Sequence, residues 1–244
     1  MTWRVPPFDR AFAALETYVR ATYAPLGIVV SGSIVRGEAG PTSDFDVFVI
    51  HDHPWRLREQ RRFEGVPAEL FINSAEQVRR YFASGHLDGK PDTAHMLATG
   101  EPIEPVHDVI HELVAEARTW LARPLEPTPE QLASLRYASV DVLDDARDVI
   151  ARDPVTAGLL LAEAVRGIVA YAFWKQRMFQ PRRKDAVAAL AAIDPEAAAL
   201  VRRWATSHGV DAFAVVETLA RHVLGVDTFF EWTSAREPTP PVSG

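Results

Sequence analysis

Apolar positions along the first half of the chain alternate between two periods. Phe8, Phe12, Leu15 and Val19 recur every three to four residues and predict a helix that Pro25 and Gly27 end. Ile28-Val29-Val30 is a short β-branched run that reads as a buried strand. Ser31-Gly32-Ser33 turns the chain, and Asp44 through Ile50 forms a second strand. Residues 61–64 and 68–72 predict a hairpin around Gly65-Val66. Ser74 and Gln77 make a capping box ahead of Val78 and Tyr81, and residues 106–121 read as a further helix.

The texture changes at Arg123-Pro124-Leu125-Glu126-Pro127-Thr128-Pro129, where closely spaced prolines make a linker. Beyond it nearly every segment carries the helical period. Thr128 caps a helix opened by Pro129, covering residues 130–151. Asp153-Pro154 restarts one that runs to about Phe173. Asp194-Pro195 starts another, which Gly209 ends as a C′ residue, and residues 210–224 form the last. The expected class is therefore α+β: a small mixed sheet with helices over 1–123, an all-helical bundle over 128–232, and a flexible Pro-rich tail over 233–244.

Composition narrows the chemistry. With no Cys among 244 residues, disulfides, thiolate zinc sites and cysteine nucleophiles are excluded. The N-terminal residues lack the apolar stretch of a signal peptide, and no run approaches the ~18 apolar residues of a membrane span. The expected location is cytoplasmic, with no membrane partner. A net charge of −7 argues against a broad nucleic-acid surface, so nucleic acid is not the expected partner.

The candidate chemistry lies in Ser31-Gly32-Ser33-Ile34-Val35-Arg36-Gly37 followed by Ser43-Asp44-Phe45-Asp46-Val47. Gly32, lacking a Cβ, lets the backbone approach a ligand. The amides from Ser33 onward, at the start of a helix, and the Ser33 hydroxyl would then face an anion such as a phosphate. Asp44 and Asp46, two apart in a strand, project on one side roughly 7 Å apart along the chain. Two such carboxylates repel unless a cation lies between them, and oxygen ligands beside a phosphate suit Mg2+. Glu69 is a lone acid in the apolar run Ala68 to Ile72. Beside the Asp44 strand it would complete a three-carboxylate metal site, or act as general base on an acceptor hydroxyl. Arg36 pairs with Asp44 or with a phosphate. The arginines at 56, 58, 61 and 62 decorate an exposed hairpin, and His51 and His53 belong to a loop.

These motifs, over residues 28–72, resemble the signature of the DNA polymerase β-like nucleotidyltransferase superfamily. The resemblance implies an N-terminal nucleotidyltransferase fold, Mg2+, ATP or another nucleoside triphosphate, and transfer of its nucleoside monophosphate to a hydroxyl-bearing acceptor. It assigns Gly32 and Ser33 to the triphosphate, Asp44 and Asp46 to metal, and Glu69 as the third acid. The rest of the chain resembles aminoglycoside adenylyltransferases, especially those of the streptomycin/spectinomycin type, on Met96 to Ile103 and on Pro181 to Val187. In that family a lysine opening a helix reaches the nucleotide phosphates across the interdomain cleft, which by position implies Lys184, and the acceptor is a small-molecule drug whose modification confers resistance. Asp141, Asp144, Asp145, Asp148 and Glu163 would be the acidic face for a polycationic drug. Two other readings stay open: a toxin–antitoxin-type nucleotidyltransferase acting on protein or tRNA, and a non-catalytic nucleotide-binding protein.

Overall fold

A computed structural model describes residues 3–234 and 236. The chain divides into two compact units, Met1–Pro124 and Leu125–Gly244. Most of the expected tail lies outside the described residues.

In the first unit, helix α1 (Phe8–Tyr23) buries the periodic residues Phe12, Leu15 and Val19 and ends at Ala24 in the left-handed conformation. Five strands follow the sheet order β3-β4-β2-β1-β5: β1 (Gly27–Ser31), β2 (Phe45–His51), β3 (Leu57–Phe63), β4 (Val66–Ser74) and β5 (Glu101–Ile103). β1 runs antiparallel to β2 and β5, β3 antiparallel to β4, and β2 parallel to β4. The β3–β4 hairpin turns on Glu64 and Gly65, whose φ values of 48° and 83° suit a tight two-residue turn.

Alternation along the strands sends side chains to two layers. Phe45, Val47, Val49, Leu70 and Ile72 join α1 in one core. Phe48, Ile50 and Phe71 face α2 (Ala75–Leu87), α3 (Asp92–Thr99) and α4 (Asp108–Ala122). Ser74 caps α2 by accepting the Gln77 amide at 3.2 Å. The full reciprocal box forms instead at Thr128 and Gln131.

The second unit is helical: α5 (Pro129–Val149), α6 (Pro154–Lys175), a 3-10 turn (Arg183–Asp185), α7 (Ala186–Ile193), α8 (Pro195–Trp204) and α9 (Gly209–Leu224). Gly209 opens α9 rather than closing α8, which ends at Trp204. The left-handed cap of α9 is Gly225, with φ 75°. Leu143, Leu161, Ile168, Leu190, Val216 and Leu219 form its core. Contrary to the sequence expectation, α6 is long and apolar enough to cross a membrane. Its residues Ala157, Leu161, Ala164, Val165 and Ile168 are buried in the helical unit, which accounts for much of that composition. Where Gly167 faces α5, a Cβ would come 2.5 Å from the Ser139 hydroxyl, so glycine permits the close helix approach there.

Candidate active site

The sheet register aligns one polar row. Ser31 on β1 lies opposite Asp46 on β2, Asp46 opposite Glu69 on β4, and Glu69 opposite Gln60 on β3. Asp46 and Glu69 share a face with Phe48 and Phe71, Asp46 as the second residue of β2 and Glu69 as the fourth of β4. Asp44 precedes the first residue of β2 rather than lying within it, and so is not held by strand alternation. Asp44, Asp46 and Glu69 nonetheless each offer a carboxylate oxygen within 4.8 Å of the others, and all three are half-buried.

Burial, reinforced by the charges of Asp44 and Glu69, pushes the Asp46 carboxyl up to about 6, while Arg36 and Arg58 oppose that rise. A cluster of three carboxylates whose charge Arg58 offsets only in part, through Glu69, fits a hard divalent cation such as Mg2+. Gly32 is fitted to the cluster in two ways. Its φ of +101° is one that L side chains rarely adopt, and a Cβ there would lie 3.0 Å from Asp46 Oδ2 and 3.2 Å from the Asp44 carbonyl oxygen.

The segment after Gly32 departs from expectation. It is a series of turns, not a helix: the amides of Arg36, Gly37 and Glu38 donate to the carbonyls of Gly32, Ile34 and Ser33. The short Gly-x-x-x-x-Gly spacing closes on itself before a helix can start. Ser33 Oγ shares a 2.6 Å hydrogen bond with Ser43 Oγ, and the Gly40 amide donates to Ser43 Oγ at 2.8 Å. The two serines thereby fasten the turn to the residue preceding Asp44. Arg36 pairs with Glu38 at 3.0 Å, not with Asp44. Lys184 belongs to the second unit, exposed in the 3-10 turn.

Two side chains join the site from β3: Arg58, read from the sequence only as decorating an exposed hairpin, and Gln60, which was not singled out. Arg58 Nε and Gln60 Nε2 donate to Glu69 Oε1 at 2.5 Å and 3.1 Å. The signal was available: on a strand, 58 and 60 share one face, whereas Glu59 and Arg61 turn to the other and meet Tyr18 and Tyr23. His51 ends β2, far along the strand from Asp46. It is buried, and its Nδ1 accepts the His53 amide at 2.9 Å.

Residues 13–80 match the family model of the nucleotidyltransferase domain. That match lies within the first unit. The match spans from within α1 to within α2 and includes Gly32, Asp44, Asp46 and Glu69. Among solved structures the chain is similar to a nucleotidyltransferase-like protein from Exiguobacterium sibiricum, with 14% identity and a TM-score of 0.53 over 89% of this chain and 74% of that one. At that identity the likeness concerns the fold. No curated protein matches the chain.

Proposed function

We propose that the protein transfers a nucleoside monophosphate, with AMP from ATP as the first candidate, to the hydroxyl of an acceptor. The observation that carries this reading is the convergence of Asp44, Asp46 and Glu69 beside Gly32 inside a nucleotidyltransferase domain. The intact set of three acids favours a catalytic role over nucleotide binding alone.

Asp44 and Asp46 would hold Mg2+, with Glu69 as the third donor. When bound, such an ion neutralises phosphate charge and polarises the phosphoryl group under attack. The turn at Gly32 and Ser33 steadies the triphosphate, and Arg36, half-buried in that turn and paired with Glu38, adds positive charge. Lys184 is assigned to the phosphates on sequence resemblance alone. The acceptor's hydroxyl proton passes to a base, which is Glu69 only in the alternative in which it does not ligate the ion. The oxygen so freed bonds to the α-phosphorus, the bond from that phosphorus to the bridging oxygen breaks, and pyrophosphate leaves. Positioning and charge stabilisation supply most of the acceleration.

For the acceptor, a small hydroxylated molecule is the first choice. The acidic face expected for a polycationic drug is partly engaged within the second unit: Asp144 pairs with Arg147 and accepts the Phe229 amide.

The test is incubation with α-labelled ATP, GTP and CTP and Mg2+ against a panel of hydroxylated small molecules, proteins and tRNA, beside calorimetric titration of nucleotide. Label should move to one acceptor class, and Asp46→Asn should abolish the transfer. Failure of the wild-type protein to bind any nucleotide with Mg2+, or unchanged transfer by Asp46→Asn, would overturn the assignment.

A further inference from the structure

Strand β3 is a sheet edge, where charged residues keep a strand from pairing with other chains. That role explains charge but not geometry, and two β3 side chains have a specific geometry. Arg58 and Gln60 both donate to the same atom, Oε1 of Glu69. The structure gives Oε2 no hydrogen bond among the described residues. Arg58 is itself oriented, its guanidinium 4.9 Å above the Phe71 ring. Phe71 in turn stacks on the buried Phe48, with centroids 5.0 Å apart and planes 18° from parallel. An arginine whose side chain is 65% exposed gains little stability from such an ion pair, so stability does not account for the arrangement.

We propose that Arg58 and Gln60 are positioning residues for Glu69, which hold one carboxylate oxygen and leave Oε2 as the single oxygen offered to a divalent cation shared with Asp44 and Asp46. The proposal rests on the reading of the three acids as a cation site. Its consequence is selectivity. A freely turning carboxylate can give both oxygens to one ion, which suits Ca2+ with its six to eight ligands. A carboxylate pinned through one oxygen gives a single ligand, which suits the smaller, strictly octahedral Mg2+ and its surrogate Mn2+. Partners that orient a metal ligand typically contribute about 10- to 100-fold in metal affinity.

Mn2+ binding to the full chain, followed by the paramagnetic resonance signal of the free ion without nucleotide, tests this apart from activity. Gln60→Leu and Arg58→Lys both preserve net charge, and both positions are exposed, so the variants fold. The lysine keeps the charge but loses the planar fork. Each should weaken Mn2+ binding, Gln60→Leu by about tenfold, and narrow the preference for Mn2+ over competing Ca2+. Neither should add to the loss caused by Glu69→Gln, because both act through that residue. Wild-type Mn2+ affinity in Gln60→Leu, an unchanged Mn2+ to Ca2+ ratio, or losses that add to Glu69→Gln would overturn the positioning role while leaving the cation site standing. A wild-type chain that binds no Mn2+ at millimolar concentration would overturn both.

Discussion

Replacing Gly32 by alanine asks two things of the chain at once, and Gly37 allows them to be separated. At Gly32 an L side chain must adopt φ near +101°. Strain of that kind costs about 1–3 kcal/mol. For a chain of this size each kcal/mol lowers Tm by roughly 2–4 °C. The same backbone cost applies at Gly37, where φ is +76° and an added Cβ meets nothing within 4 Å. Only at Gly32 does the new methyl lie 3.0 Å from Asp46 Oδ2 and 3.2 Å from the Asp44 carbonyl. The Asp46 carboxylate must then give way by a few tenths of an ångström, on the order of the ~0.5 Å tolerance of a working site. Thermal melts followed by circular dichroism should show losses for both variants, the larger for Gly32→Ala, whose methyl also crowds the Asp46 carboxylate and the Asp44 carbonyl. Mn2+ titration should show a loss of about tenfold or more for Gly32→Ala alone. Equal Mn2+ affinities in the two variants would refute the argument that this glycine exists to admit the carboxylate.

Asp46→Asn should raise stability without metal. The folded-state value of about 6 lies above the reference 3.8, so protonation favours folding. That contribution is complete below pH 3.8 and lost as pH rises through 6, leaving the ionised wild type less stable by at most about 3 kcal/mol at neutral pH. In EDTA at pH 7.5 the variant should melt several degrees higher, the gain should vanish near pH 4, and Mg2+ should erase it by stabilising only the wild type; no gain in EDTA would show that burial and the neighbouring acids do not disfavour the Asp46 carboxylate. In the helical unit, Gly167→Ala should lower Tm because its methyl would meet Ser139 Oγ at 2.5 Å, an overpacking cost of about 1–3 kcal/mol. Adding Ser139→Ala should restore most of the loss, and Mn2+ binding should not change in either variant.

The parts of this structure legible in the sequence are those set by local periodicity. Phe8, Phe12, Leu15 and Val19 determine α1, and the apolar runs at 28–30 and 45–50 determine β1 and β2. The three acids were legible because their types are unusual inside apolar runs. What escaped depends on which of several possible partners, near or distant in the chain, a group meets in the fold. The turn after Gly32 lacks a helix because its amides close on Gly32, Ser33 and Ile34 instead. Arg58 differs from Arg61 only in facing Glu69 rather than Glu59 and Tyr18, and that follows from the β3–β4 register. Gly209 reads equally as a helix end or beginning, and only the short, four-residue break after Trp204 decides it. Arg36 was expected to reach Asp44 or a phosphate. Its carboxylate partner is Glu38, two residues on, rather than Asp44.

The pairing of Asp46 with Glu69 across parallel strands also bears on how the chain is checked once made. Parallel neighbours cannot be joined by a tight turn, and here the intervening segment must first lay down β3 at the sheet edge. A slip of one residue in β4 would send Glu69 to the opposite face. A divalent ion that needs all three acids therefore binds only chains in which both long-range pairings have closed in register. By mass action such an ion stabilises those chains and no others. Cation supply would then act as a proofreading step on the sheet, favouring the survival of correctly threaded molecules before any substrate arrives.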